Sequence, residues 1–242
     1  MLLPDHLTHE IHLWRISLDE LPPDISSQIL ADEERHRADR FTSAILRRRF
    51  IGSHCARRLI LAGYLNVPPH QLHFMVQTHG KPTLAWPTTP LCFNLSHSGN
   101  AMLMAVTHRL DLGVDLENIQ PHRDYPRLVE RCFGHEERAY WQALTSTERT
   151  EAFYRLWTIK EAWVKAIGRG IAMGLAACEI NLTTTGRFSR LPAPYHPVEW
   201  RYQPLDLSAG QAAAMVWRHD VKSPRTLRHY NFVWDNALDR IC

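Results

Sequence analysis

The chain has 242 residues, 45% apolar and 22% charged, with a formal charge of +3 and a pI near 8.7, the balance of a globular protein long enough to bury a core. No apolar run approaches the roughly 20 residues of a membrane helix, and the opening MLLPDHLTHEIHLW lacks the basic and apolar stretches of a signal peptide, so a cytoplasmic protein is expected. The five cysteines (Cys55, Cys92, Cys132, Cys178, Cys242) are scattered and form no CxxC, which fits reduced, mostly buried thiols rather than a disulfide frame or zinc ribbon.

Taken in chain order, IHLWRISL alternates as a strand, and residues from about Asp24 to Arg40 read as a short helix with Ser26 or Ser27 near its start. Residues 45–65 predict an amphipathic helix whose apolar set (Ile45, Phe50, Ile51, Leu59, Ile60) is broken by Arg47, Arg48, Arg49, Arg57 and Arg58 and ended by NVPP. A strand over 71–76, a turn at THGKP, and a strand pair over 91–95 and 101–107 around an SHSGN turn follow, then a strand over 110–117. HRDYPRLVERCF and HEERAYWQAL read as helices, 150–167 as a second long amphipathic helix, and the remainder from Ala176 as an antiparallel sheet. The fold class is therefore α+β, with two similar-sized lobes, 1–108 and 109–242, each carrying a strand-rich region and one long helix.

The kind of base used is informative. Of 28 basic residues only Lys81, Lys160, Lys165 and Lys222 are lysines, so a lysine here marks a place wanting a compact point charge instead of a planar fork. In a strand, Asp115 and Glu117 project from one face while Val114 and Leu116 point to the core. Two such carboxylates repel unless a cation or proton separates them, and hard oxygen ligands at this spacing suit Mg²⁺; a solvated strand edge is the plainer alternative. Glu161 and Lys165 stand at i and i+4 on the second long helix, beside a core stripe of Phe153, Trp157 and Val164. That pair is either an ordinary surface ion pair or, next to the glycines of GRGI, part of a metal–pyrophosphate site. Ser96, His97 and Ser98 in the SHSGN turn could cradle an anion or form a plain hairpin. A serine nucleophile with His97 as base is disfavoured, because adjacent strand residues face opposite ways and no G-x-S-x-G is present. Arg47–Arg49, with Arg37 and Arg40, form either a solvated helix face or a phosphate pocket. His6, His9 and His12 have no useful carboxylate or Cys beside them and are not read as a site.

GKP, FNLSHSG, GVDLE and W-x-x-KEA-x-x-K-x-x-G-x-G, in that order between Arg35 and Ile171, together resemble the Sfp-type 4′-phosphopantetheinyl transferases, and the KEA form resembles their W/KEA branch. The resemblance implies two pseudo-symmetric α+β lobes with coenzyme A in the cleft between them. It implies transfer of the phosphopantetheine arm to a serine of an acyl or peptidyl carrier protein, releasing adenosine 3′,5′-bisphosphate. By motif, Asp115, Glu117 and Glu161 would bind Mg²⁺ or Mn²⁺, and Lys165 the pyrophosphate, with Lys160 nearby. Gly80, Lys81 and Pro82, and Ser96 with His97, would bind the nucleotide and its phosphates. Glu137 in CFGHEE stands where some members of the family place a carboxylate proposed to deprotonate the serine, directly or through water, which makes Glu137, Glu161 and Lys165 the implied catalytic set. Where the prototype presents two lysines to the 3′-phosphate, this sequence has Arg37 and Glu34, so Arg37, Arg48 and Arg49 are expected to supply the charge. The implied partner is an acidic helical bundle docking near Arg169 in GRGIAMGLAA, a segment that reads equally as a buried strand; neither nucleic acid nor membrane is expected, and a monomer is.

Overall fold

The computed structural model describes residues 5–22, 25, 29–120, 125–170, 174–221 and 223–235. Strand β1 (Glu10–Ser17) is covered on both faces, with Ile11 and Leu13 entering one core and Ile16 another. Helix α1 spans only Asp32–Asp39, with Asp32, Glu33 and Glu34 in its first turn, where the helix dipole favours acids. It starts later than expected; Asp24, Ser26 and Ser27 lie outside the described residues. Helix α2 (Ala44–Leu65) begins at Ser43, whose Oγ accepts the Leu46 N–H at 3.4 Å, and ends where Asn66 turns left-handed at φ 51°.

Strands β2 (His73–Val76) and β3 (Pro82–Trp86) form a hairpin. The sequence pattern predicts the first strand and the turn at its tip but not the second strand. Strand β4 (Leu91–Ser98) pairs with β5 (Ala101–His108), and this corrects the SHS reading. Ser96, His97 and Ser98 are strand residues opposite Leu103, Met102 and Ala101, and the turn is reduced to Gly99 and Asn100. Polar residues at the end of a strand look like a turn locally; the register with β5 makes them strand.

After β6 (Leu112–Asn118) come α3 (Tyr125–Cys132), α4 (His135–Ala143) and α5 (Ser146–Ile167). Helix α5 starts where the Glu148 carboxylate accepts the Thr145 N–H at 3.0 Å and Thr145 Oγ1 at 2.6 Å, and stops at Gly168, φ 66°. Its apolar surface is broader than the predicted stripe: Tyr154 and Trp163 are buried along with Phe153, Trp157 and Val164. The helix is wrapped by protein, so a three-residue stripe understates it.

Strands β7 (Glu179–Ile180) and β8 (Phe188–Arg190) form a short hairpin. Strands β9 (Trp200–Leu205) and β10 (Gln211–Arg218) extend β6 into an antiparallel sheet of order β6-β10-β9. The last strand, β11 (Thr226–Asn231), departs from the antiparallel expectation: it joins the first sheet, order β11-β1-β5-β4, in parallel with β1.

Helix α2 packs on the first sheet, α5 on the second, and a third core of Ile11, Leu13, Leu103, Val114, Leu116 and Met215 links strands of both sheets. Cys55, Cys132 and Cys178 are buried free thiols, and burial pushes Cys55 and Cys178 up to about 12. Among the described residues no helix is long and apolar enough to cross a membrane.

Candidate active site

The two sheets meet edge to edge where β4 runs beside β6. Strand β6 is paired with β10 on its other side, so three β4 side chains take over on this edge. Asn94 Oδ1 accepts the Val114 N–H at 2.9 Å, Ser96 Oγ donates to Asp115 Oδ1 at 3.0 Å, and Ser98 Oγ accepts the Asn118 N–H at 3.0 Å. Gly113 brings α5 close on the flank: a Cβ there would collide with the Ala162 carbonyl and lie 2.5 Å from the Ala166 nitrogen. With Gly113 against α5, strand alternation sends Asp115 and Glu117 to the helix side and Val114 and Leu116 to the core.

On that side a small charged cluster forms. Lys165 Nζ lies 2.6 Å from Asp115 Oδ1 and donates to Ser96 Oγ at 2.7 Å, closing a triangle of ammonium, hydroxyl and carboxylate. Asp115 Oδ2 and Glu161 Oε1 are buried with no hydrogen-bond partner. Burial and then Asp115 push the Glu161 carboxyl up to about 7, against the pull of Lys165 and with a further push from Glu117. Among the described residues no three His, Cys, Asp or Glu side chains converge closely enough to enclose an ion. The donor set nevertheless fits a hard divalent cation: two carboxylate oxygens are buried and unsatisfied, one of them on Glu161, whose ionisation burial and Asp115 oppose. Asp115, Glu117 and Glu161 are the residues that would hold it.

His97 is exposed, and its ring is held below the usual histidine range by desolvation first and Lys165 second. Lys81 is more enclosed. Its Nζ donates to the Ala166 carbonyl at 2.8 Å and the Leu112 carbonyl at 3.3 Å, so an ammonium from the β2–β3 hairpin caps the C-terminus of α5. Burial lowers its pKa, with Asp111 opposing. Gly80 takes φ 89° at the hairpin tip and Pro82 starts β3, while Gln77 and His79 from the same tip lie against Gly168 and Gly170. The GKP turn and the GRG segment, far apart in sequence, are therefore packed together.

The arginines are dispersed. Arg37 lies 5.4 Å over the Phe50 ring; Arg49 Nε meets Asp19 Oδ1 at 3.3 Å; Arg48 donates to the carbonyls of Asp19 and Leu21. Arg48 and Arg49 thus hold the loop after β1 rather than converge with Lys165. Glu34 is a clamp and its position offers no positive charge: it accepts from Arg57 Nη2 and Arg58 Nε, both at 2.6 Å, and Arg58 also donates to the carbonyls of Pro69 and Leu72. Arg57 and Arg58 read in the sequence only as breaks in an apolar pattern; their burial could not be found there.

Two residues are corrected outright. Glu137 and Lys160 are both fully buried and pair at 2.7 Å. Glu137 also accepts the N–H groups of Gly134 and Ile180, each at 2.8 Å, and Lys160 donates to the carbonyls of Leu175 (3.0 Å) and Cys178. Neither has a free atom or an exposed surface with which to meet a carrier serine or a pyrophosphate. Arg169 lies 5.8 Å from the Tyr195 ring, and residues 171–173 of the expected docking segment lie outside the described residues.

Residues 13–109 match the profile of the 4′-phosphopantetheinyl transferase N-terminal family, and residues 111–216 that of the 4′-phosphopantetheinyl transferase superfamily. The chain is 40% identical over 183 residues to the 4′-phosphopantetheinyl transferase HetI of Nostoc sp., covering 74% of this chain and 77% of that protein. It is 32% identical over 232 residues to the 4′-phosphopantetheinyl transferase psf-1 of Bacillus pumilus, covering 94% and 92%. Against the 4′-phosphopantetheinyl transferase Sfp of Bacillus subtilis the identity is 30% over 182 residues, covering 69% and 79%.

Proposed function

The chain belongs to the 4′-phosphopantetheinyl transferase superfamily, and from that premise we propose that it moves the phosphopantetheine arm of coenzyme A to a serine of an apo acyl or peptidyl carrier protein, releasing adenosine 3′,5′-bisphosphate. The observation that carries this reading is the Lys165–Ser96–Asp115 triangle beside Glu161, with two buried carboxylate oxygens unsatisfied. Mg²⁺, or Mn²⁺, held by Asp115, Glu117 and Glu161 would, when bound, neutralise charge growing on the phosphoryl oxygens. Lys165 presents a compact cation to the same region and serves the pyrophosphate. Glu161 Oε1, buried and without a hydrogen-bond partner, is the oxygen this glutamate offers the divalent cation, whereas Glu137 is too enclosed to take the serine proton.

Ser96 and exposed His97, with Gly80, Lys81 and Pro82 of the turn packed beside Gly168, are assigned to the nucleotide and its phosphates, and Arg37 is the arginine left for the 3′-phosphate. The KEA run supports a reading of the chain as one of the W/KEA branch, and the acidic helical carrier is assigned to the Arg169 side. A cytoplasmic monomer, with its buried free thiols reduced, completes the reading.

Incubating the protein with apo-acyl carrier protein, coenzyme A and Mg²⁺, followed by intact-mass spectrometry, tests it. A carrier gaining the phosphopantetheine mass supports transfer. Hydrolysed coenzyme without that gain points to a hydrolase, and no reaction to a non-catalytic carrier-binding module; either would overturn the proposal. Asp115→Asn is expected to cut the rate by about 10²-fold or more while the protein stays folded.

A further inference from the structure

The buried Glu137–Lys160 pair sits on the same helix as the charged cluster but on its far side. With about 100° between successive helix residues, Lys160 lies roughly 160° around α5 from Ala162, which with Ala166 is pressed against Gly113 of β6. Glu161 and Lys165 occupy the flank between these two grips. On the far side nothing is left to slide. The Lys160 ammonium meets three acceptors, Glu137 at 2.7 Å, the Leu175 carbonyl at 3.0 Å and the Cys178 carbonyl, while Glu137 is itself held by the N–H groups that open α4 and enter β7. Every member is paired, and both side chains have zero exposure.

We propose that Glu137 and Lys160 are a positioning pair: by fixing the rotation of α5 about its axis they hold Glu161 and Lys165 in register with Asp115. The inference rests on reading Asp115, Glu161 and Lys165 as the transfer site. Side-chain atoms lie about 5–6 Å from a helix axis, so a turn of about 20° would displace the Glu161 carboxylate and the Lys165 ammonium by about 2 Å. Misplacement on that scale is enough to cost about 10²-fold in rate. A charged pair suits the task better than an apolar one because an ammonium and a carboxylate aim at particular atoms, whereas methyl contacts tolerate rotation.

The test compares wild type, Lys160→Met, Glu137→Gln and the Glu137→Gln/Lys160→Met double variant in carrier phosphopantetheinylation at saturating coenzyme A, alongside coenzyme A binding by calorimetry and thermal midpoints. Each single variant leaves one buried polar partner without its counter-charge. It should lose about 10 °C of midpoint and about 10²-fold in kcat, with coenzyme A affinity changed less than kcat. The double variant removes both charges together; most of the midpoint and all but several-fold of kcat should return. If the midpoint of the double variant recovers but its rate stays as low as that of Glu137→Gln, Glu137 acts in the chemistry and the proposal falls. It falls too if the single variants melt early yet turn over at the wild-type rate per folded molecule, a purely structural role, or if the double variant does not fold. A wild-type enzyme that transfers nothing would instead sink the functional reading beneath it.

Discussion

Burial drives His54 and Glu161 in opposite directions along the pH scale. His54 is pressed 3.9 Å from the Phe50 ring, and its Nδ1–H donates to the Phe50 carbonyl at 2.9 Å. Burial, then Arg57, lowers its pKa from 6.5 to about 4. The unfolded chain therefore takes up this proton first, and the stability it represents is full above 6.5 and lost as pH falls toward 4. Glu161 has the reverse sign. Its carboxyl rises from 4.5 to about 7, so the folded state holds the proton longer, and that stability is full below 4.5 and lost as pH rises toward 7. Each is worth at most about 3 kcal/mol. The two slopes oppose each other between 4.5 and 6.5, so in urea unfolding of the metal-free protein each partly masks the other there. Relative to wild type, His54→Gln should tilt the pH dependence toward a decline with rising pH and Glu161→Gln toward an increase; two variants keeping the wild-type slope would refute both assignments. At residue scale the sequence displays what fixed geometry dictates. Alternation in a strand and i, i+4 spacing in a helix make Asp115 with Glu117, and Glu161 with Lys165, legible as neighbours. The burial of Glu137, Lys160, Arg57 and Arg58 is not legible, because the ion pairs that permit it join residues more than 20 positions apart in sequence.

Between elements, the decisive contact is made by a residue with no side chain. Gly113 lets the backbone of β6 touch α5 at Ala162 and Ala166, one turn apart on the helix. That contact sets the distance from which Lys165 reaches Asp115 at 2.6 Å. Gly113→Ala would insert a methyl against the backbone of α5, where no flexible side chain can yield. It should cost about 3 kcal/mol and reduce transfer more than its lowered midpoint explains, because the helix must move away from β6. A variant with wild-type urea midpoint and turnover would show that the helix has room to spare. GVDLE marks the glycine in the sequence, but its reason is visible only once α5 lies over it. The same holds for Ser96 to Ser98. Their hydroxyl and imidazole groups suggest a turn, yet pairing with β5 extends β4 through all three, so that Ser98 meets a free N–H on the edge of β6 and Ser96 the Asp115 carboxylate.

For the molecule as a whole, the long helices and most strands follow from local periodicity, and the α+β class with them. The return of the chain to its beginning does not. Residues 226–231 carry the alternation of an ordinary strand, and nothing local states that the partner is β1, more than 200 residues earlier, or that the pairing is parallel. The return fastens several things at once. Tyr230 stacks on Trp14 with ring centroids 4.8 Å apart, Arg228 pairs with Glu10 at 2.9 Å, and Phe232 and Trp234 enter the first core, where Trp234 Nε1 donates to the Ser17 carbonyl at 2.9 Å. A chain ending at Ser223 would leave β1 as an open edge and the first core without two aromatics, while the second sheet and the Asp115–Lys165 contact keep all their own residues. Compared with a chain ending at Asp235, it should lose about 5 kcal/mol and self-associate on size-exclusion chromatography through the exposed edge. Coenzyme A binding per folded molecule should be largely retained, because the cluster at Lys165 draws nothing from the tail. Equal urea midpoints and equal elution of the two chains would show that β11 is an ornament on the first sheet rather than its closing strand.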